Sequence, residues 1–288
     1  MSRRHSRPAI AVTLCGRLRL WALLLILAAA MPAGTVAQSA AQSAPPRDLK
    51  SIVDSGVLRV ALTRFDLPAF HRRREGSLTG PEIDLGTQIA GALGIRVEFI
   101  DDAPSFDAVV NAVAGGQADI GISKLSQTYY RLVRVRFSEP YITLRHALLF
   151  ERAALASRAN GRPPEETLRH FPGRIGVIRG SAYVDFGRRN FPNAQIVEMA
   201  NWDAAIEGLV SRHLDAIYRD EFEIRRVLKN RPALNVHFGA AIVTDQKAFL
   251  SVAICNSCGN LQDFINYHLT QTQGTFTLQR LLASDLRD

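Results

Sequence analysis

The stretch Gly116–Tyr141, GQADIGISKLSQTYYRLVRVRFSEPY, gathers groups suited to holding a small anion. Ser123, Ser126 and Thr128 supply hydroxyls, and Arg131 supplies a guanidinium. A guanidinium grips a carboxylate through two parallel hydrogen bonds. The alternative for Arg131 is an exposed arginine at a helix start, where most arginines lie. The surroundings favour a site. Ala118–Ile122 reads as a short buried strand. A polar loop at the carboxyl end of such a strand is where open α/β sheets place ligand groups. Catalytic patterns are missing: there is no G-x-S-x-G, no phosphate-binding or dinucleotide glycine pattern and no H-E-x-x-H, and the seven histidines are dispersed.

The elements that must position these residues alternate strand with helix. A short helix starts near Leu49, followed by strand Val57–Leu62, helix Glu82–Leu93 stopped by Gly94, strand Val97–Ile100 and helix Phe106–Ala114. Residues 155–170, with Pro163-Pro164, read as a surface excursion. A second series follows: strand Arg174–Ile178, helix Tyr183–Asn190, strand Gln195–Glu198, helix Asn201–Ser211, strand Asp215–Arg219 and helix Glu221–Lys229. Ala240–Ile254 reads as strand, loop, strand, and a helical tail runs from Leu261. The rhythm predicts a layered α/β fold.

The first residues predict export. Five arginines precede the apolar run Leu20–Ala30, and small residues follow to Ala37, the pattern of a cleaved signal peptide over 1–37. The run is shorter than the roughly 20 residues a spanning helix needs. Residues 38–49 are small, polar and proline-containing, a disordered leader. Without residues 1–37 the formal charge falls from +8 to +3, and the basic groups are scattered, which speaks against nucleic acid as a partner. His71-Arg72-Arg73-Arg74 reads as a solvated loop tip. Cys255 and Cys258 follow an apolar strand and read as a disulfide staple across a turn, since an exported chain meets oxidising conditions. Neither a redox motif nor a zinc site finds the context it needs, and no metal or cofactor is expected.

The order of pieces in 116–141 resembles family 3 of the bacterial solute-binding proteins, the polar-amino-acid receptors of ABC transporters. In that family a strand ending in Asp plus apolar residues leads to T/S-x-T-x-x-R and then F-S-x-P-Y. Ser126, Thr128 and Arg131, then Phe137, Ser138, Pro140 and Tyr141, match. The resemblance implies a two-lobed α/β periplasmic-binding-protein fold of type II with two hinge strands. Lobe 1 would comprise 50–147 and 242–288, lobe 2 would comprise 148–241, and the hinges would lie near Ala147–Phe150 and Phe238–Ile242. It implies a periplasmic monomer that closes around an amino acid or related small zwitterion and is read by a membrane permease. Some proteins of this fold are instead periplasmic dehydratases of prephenate or arogenate, and that remains the alternative.

The resemblance also distributes roles. Arg131 and Ser126 take the ligand carboxylate. Asp220 takes the α-ammonium; its other reading is a helix N-cap, and its two oxygens could serve both. Gly180-Ser181 offers backbone N–H groups at a helix start, or is a plain turn. Phe106, in Ser105-Phe106-Asp107, faces the ligand, and Phe65 or Leu67 covers its side chain. Glu82 reads as anchoring a loop, with Glu223 an acid near Asp220. Lys124 departs from the family's small residue: it adds positive charge to the cleft, favours a ligand with a second acid group, or points to water.

Overall fold

The computed structural model describes residues 45–272 except residue 160. The export segment 1–37 and most of the leader lie outside the described residues. No described helix is long and apolar enough to cross a membrane. The first part of the chain forms α1 (Leu49–Ser55), β1 (Val57–Thr63), the hairpin β2 (Arg72–Arg74) and β3 (Ser77–Thr79), α2 (Pro81–Ala92), β4 (Arg96–Ala103), α3 (Phe106–Ala114), β5 (Ile120–Gly121), α4 (Tyr129–Leu132), β6 (Val135–Phe137) and β7 (Ile142–Glu151). The rest forms α5 (Arg152–Ala159), α6 (Pro164–Arg169), β8 (Arg174–Ile178), α7 (Ala182–Asn190), β9 (Gln195–Met199), α8 (Trp202–Val210), β10 (Ala216–Asp220), α9 (Glu221–Asn230), α10 (Leu234–His237), β11 (Phe238–Leu250), β12 (Ala253–Cys255) and α11 (Gly259–Gln271).

Two five-stranded sheets result, in the orders β4-β1-β5-β12-β6 and β11-β7-β10-β8-β9. β1 lies parallel to β4 and β5, while β12 returns antiparallel between β5 and β6. In the second sheet β8 is parallel to β9 and β10, and β7 and β11 add antiparallel. This is the expected two-lobed α/β architecture of type II. β7 and β11 pair over most of their length, with an irregularity between Val243 and Lys247. Ile142, Leu144, Ala248 and Leu250 pack into the core around the first sheet. Further along the same strands, Leu148, Phe150, Ala241 and Val243 pack into a core of the second. The two long strands therefore pass from one core to the other.

Local chemistry sets the ends that carry the site. Ser105 Oγ accepts the Ala108 N–H at the start of α3, and Asn201 Oδ1 does the same for Ala204 at α8. Thr128 Oγ1 accepts the Arg131 N–H and so fixes the single turn of α4. Such caps satisfy donors that the first helical turn leaves open.

Three expectations need correction. Residues 155–170 are not a bare excursion: α5 and α6 bury Leu155 and Leu168, which join Leu148 and Phe150 in a core of the second sheet although the surrounding sequence looks polar. His71 is no solvated tip. It is buried, with Nδ1 2.7 Å from Glu82 Oε2 and Nε2 3.1 Å from Thr63 Oγ1. The strand at 118–122 shortens to Ile120–Gly121, although the Ile122 N–H still donates to the Ala61 carbonyl. Cys255 and Cys258 are joined by a disulfide at the start of α11.

Candidate functional site

The loop after β5 carries Lys124, whose φ of 50° lies in the left-handed region. Glu82 fixes that unusual backbone. Its Oε1 accepts the Lys124 N–H at 2.6 Å and the Tyr141 hydroxyl at 2.6 Å, while Oε2 meets His71. The carboxylate is fully buried and so must be met by several donors. Glu82 therefore anchors the loop, and burial with the Glu82 carboxylate alongside pushes the Tyr141 phenol well above its ordinary pKa.

Anchored there, the Lys124 side chain crosses to the second sheet. Nζ lies 3.0 Å from Asp220 Oδ2 and 2.9 Å from Glu223 Oε1. It sits over the rings of Phe70 at 4.7 Å and Phe222 at 5.3 Å. All three charged groups are buried. Asp220 divides its oxygens: Oδ1 accepts the Glu223 N–H and caps α9, while Oδ2 meets the cation. Burial alone would raise the Glu223 pKa, but Lys124, then Arg219 and Arg226, hold it well below the usual carboxylate range.

Arg131 is 1% exposed and its guanidinium is also engaged. Nε and Nη2 donate to Asp107 Oδ1 at 2.9 and 2.8 Å, and Nη1 donates to the Ser126 carbonyl at 3.0 Å. Burial lowers its pKa, and Asp107 opposes that shift. The Asp107 N–H in turn donates to the Gly180 carbonyl at 3.1 Å, tying α3 to the β8–α7 turn. Gly180 has φ 66°, and a Cβ there would lie 2.9 Å from the Ser105 Cβ, so this approach requires glycine. The Ser181 hydroxyl turns back to the Ile178 carbonyl at 2.7 Å.

Around one small space of about 20 Å³ the fold brings together Arg131, Ser126, Asp220, Ser181, Phe106 and Lys124. Gly180 lines a neighbouring hollow with Arg131 and Asp107. Phe65 lines a larger cleft of about 530 Å³ and meets Phe106 edge-on, with ring centroids 5.5 Å apart. Leu67 lines that cleft too. Sequence reasoning missed Tyr183, Trp202 and Arg219 as site residues. Arg219 lines both the small cavity and the large cleft. The available signal was an arginine inside an otherwise apolar strand, beside Asp220.

Residues 58–164 match the family described as "Bacterial extracellular solute-binding proteins, family 3". The chain is 25% identical over 196 residues to the lysine/arginine/ornithine-binding periplasmic protein of Escherichia coli (strain K12), covering 67% of this chain and 72% of that protein. It is 26% identical over 216 residues to the cyclohexadienyl dehydratase of Pseudomonas aeruginosa, covering 74% of this chain and 77% of the enzyme. The crystal structure of an ancestral amino acid-binding protein, a precursor of cyclohexadienyl dehydratase, superposes with a TM-score of 0.63 at 26% identity, covering 81% of this chain and 96% of that one. By its motif over 116–141, its two-sheeted fold and these likenesses, the chain is similar to family 3 of the bacterial extracellular solute-binding proteins, whose model matches it over residues 58–164.

Proposed function

We propose that this protein is the extracytoplasmic receptor of an ABC uptake system and closes around an amino acid or related small zwitterion. The observation that carries the reading is the meeting of charges from the two sheets at one cavity. Lys124 comes from the loop after β5, Arg131 from α4 and Asp220 from the end of β10, all lining the cavity, while Glu223 of α9 meets Lys124 beside it. In this reading Arg131 and Ser126 face the ligand carboxylate, Asp220 faces its ammonium, and Phe106 and Phe65 form the apolar wall. The lobes are 50–147 with 242–288, and 148–241, hinged where β7 and β11 change cores. A ligand that binds the closed form better shifts the population toward it, and a permease reads that form. The protein acts in the periplasm as a monomer after removal of residues 1–37.

Thermal-shift screening against the proteinogenic amino acids and small dicarboxylates tests the proposal. At least one compound should raise the melting temperature, and Arg131→Ala should abolish every rise. A flat screen of the wild type would end the reading.

The likeness to a dehydratase favours a second reading, an enzyme acting on a cyclic carboxylate such as prephenate. A general acid must hold its proton near the working pH. Glu223 is ionised far below neutrality, which favours binding over catalysis. Incubation with prephenate should give no aromatic product; turnover would reverse the order of the two readings.

A further inference from the structure

Arg219 is a buried cation of this site with a guanidinium nitrogen that has no hydrogen-bond partner among the described residues. Arg131 already holds Asp107, and Lys124 already holds Asp220 and Glu223. Arg219 is 4% exposed, and its Nη1 has no hydrogen-bond partner among the described residues. Its Nε stands 3.6 Å from Asp220 Oδ2, and that oxygen is already 3.0 Å from Lys124 Nζ. The guanidinium is held between two rings, 5.5 Å from the centroid of Phe106 and 5.4 Å from that of Trp202. Stacking of this kind fixes the plane of the fork and leaves its edge to donate. A buried donor with no acceptor is unfavourable, more so when it is charged. This one lines the larger cleft of about 530 Å³ as well as the small cavity beside it, so a ligand in the larger cleft can supply the acceptor.

We infer that Arg219 receives a second carboxylate of the ligand, and that the solute is a small diacid, an amino acid with an acidic side chain in the first instance. The inference rests on the binding role proposed above and names its ligand class. The charges facing the cleft agree. Arg64, Arg179 and Arg226 line it with Arg219, against the acids Asp66, Asp203 and Glu223. Glu223 is already within 3.2 Å of Arg226 and 2.9 Å of Lys124. A cationic side chain entering here would meet Arg219 and find Glu223 occupied. A carboxylate would complete the open donor. This preference is opposite in sign to the ligands for which the Escherichia coli relative is named.

The test is calorimetric titration of wild type and Arg219→Gln with L-glutamate, L-aspartate, L-glutamine, L-asparagine, L-arginine, L-lysine, succinate and glutarate. Arg219→Lys is carried alongside as a variant that keeps the charge, and circular dichroism confirms folding. Wild type should bind at least one diacid about tenfold or more tighter than its amide and than either basic amino acid, as expected for a hydrogen bond between charged groups. Arg219→Gln should lower affinity for the diacid by more than for its amide and so remove that margin, and Arg219→Lys should restore part of it. The inference is overturned if amides or basic amino acids bind wild type as tightly as diacids. It is equally overturned if Arg219→Gln weakens acid and amide alike. The wild-type comparison decides the matter even if both variants misfold. If no compound binds wild type, the receptor reading fails and this inference with it; binding of the wrong class fails the inference alone.

Discussion

Replacing Lys124 by Met isolates the charge at the centre of this site. Met is as strained as Lys at a φ of 50°, and its N–H still donates to Glu82, so the backbone term is unchanged. The thioether chain keeps much of the packing between Phe70 and Phe222. What disappears is an ammonium 3.0 Å from Asp220 and 2.9 Å from Glu223, both carboxylates being 3% exposed. A pair of unit charges at such a distance attracts by about 5 kcal/mol at an effective dielectric constant of about 20. Part of that is returned because lysine no longer has to be desolvated. Breaking a buried pair by removing one partner destabilises by about 3–5 kcal/mol. Arg219 at 3.6 Å and Arg226 at 3.2 Å continue to compensate the acids, so the expected loss at pH 7 lies at the lower end, about 3 kcal/mol.

The same variant predicts a pH signature. The native Glu223 pKa lies below its ordinary 4.5, with Lys124 the largest lowering influence. Its contribution to stability is therefore complete above about 4.5 and is lost as the pH falls toward the native value. With Lys124 gone the depression shrinks, and a proton can neutralise one of the two acids in the native state. The stability gap between wild type and variant should narrow from pH 7 to pH 3. Urea unfolding followed by tryptophan fluorescence measures both quantities. A gap below about 1 kcal/mol at pH 7, or one that stays constant on acidification, would refute the assignment of Lys124 as the buried bridge.

Three further outcomes are expected. His146 is buried beside Tyr183, Phe186 and Tyr218, and burial, reinforced by Arg189, lowers its pKa from 6.5 to about 3. The unfolded chain then takes up a proton that the native state refuses, so wild type loses about 1.4 kcal/mol per pH unit as the pH falls below 6.5. His146→Phe should remove that part of the slope in urea unfolding between pH 6.5 and 4, and an unchanged slope would clear His146. Asp107→Asn should tighten binding of the ligand identified by screening about three- to tenfold, because a neutral amide competes less well for Arg131 than a carboxylate does; unchanged affinity in titration would mean the ligand does not reach that guanidinium. Cys255→Ser with Cys258→Ser opens a bridge of sequence separation 3 and should lower stability by about 2 kcal/mol in thermal unfolding, the small loop setting the small effect.

Much of the fold was readable because its signals are local. Helical spacing in Glu82–Leu93 and Phe106–Ala114, and β-rich runs such as Arg174–Ile178, need no knowledge of distant contacts. Lys124 and Asp220 could each be singled out, but not their pairing. One follows β5 and the other ends β10, and only packing of the two sheets brings them within 3.0 Å. Lysine's usual preference for water argued against such burial, and that preference fails where two carboxylates and two rings replace the solvent. His71 was hidden by the arginines that follow it, although Glu82 and Thr63 enclose it. Asp107 passed as the tail of a family motif, yet its carboxylate occupies the fork of Arg131. Arg219 was overshadowed by the acid beside it.

These contacts bear on closure as well as on recognition. The Lys124 bridge to Asp220 and Glu223, and the hydrogen bond from Asp107 N–H to the Gly180 carbonyl, join the ends of the two sheets through groups of the chain itself. In the hinged receptor proposed above they favour the closed cleft whatever the cleft contains. A ligand's apparent dissociation constant is its intrinsic value divided by the competent fraction, so a chain that partly latches itself binds more tightly than one that starts open. Lys124→Met should therefore open the unliganded protein, seen as a larger radius of gyration in X-ray scattering, and saturating ligand should draw it back toward the wild-type value. Apparent affinity should fall at the same time. An unliganded variant as compact as wild type, with weaker binding, would mean that Lys124 meets the ligand and does not hold the lobes.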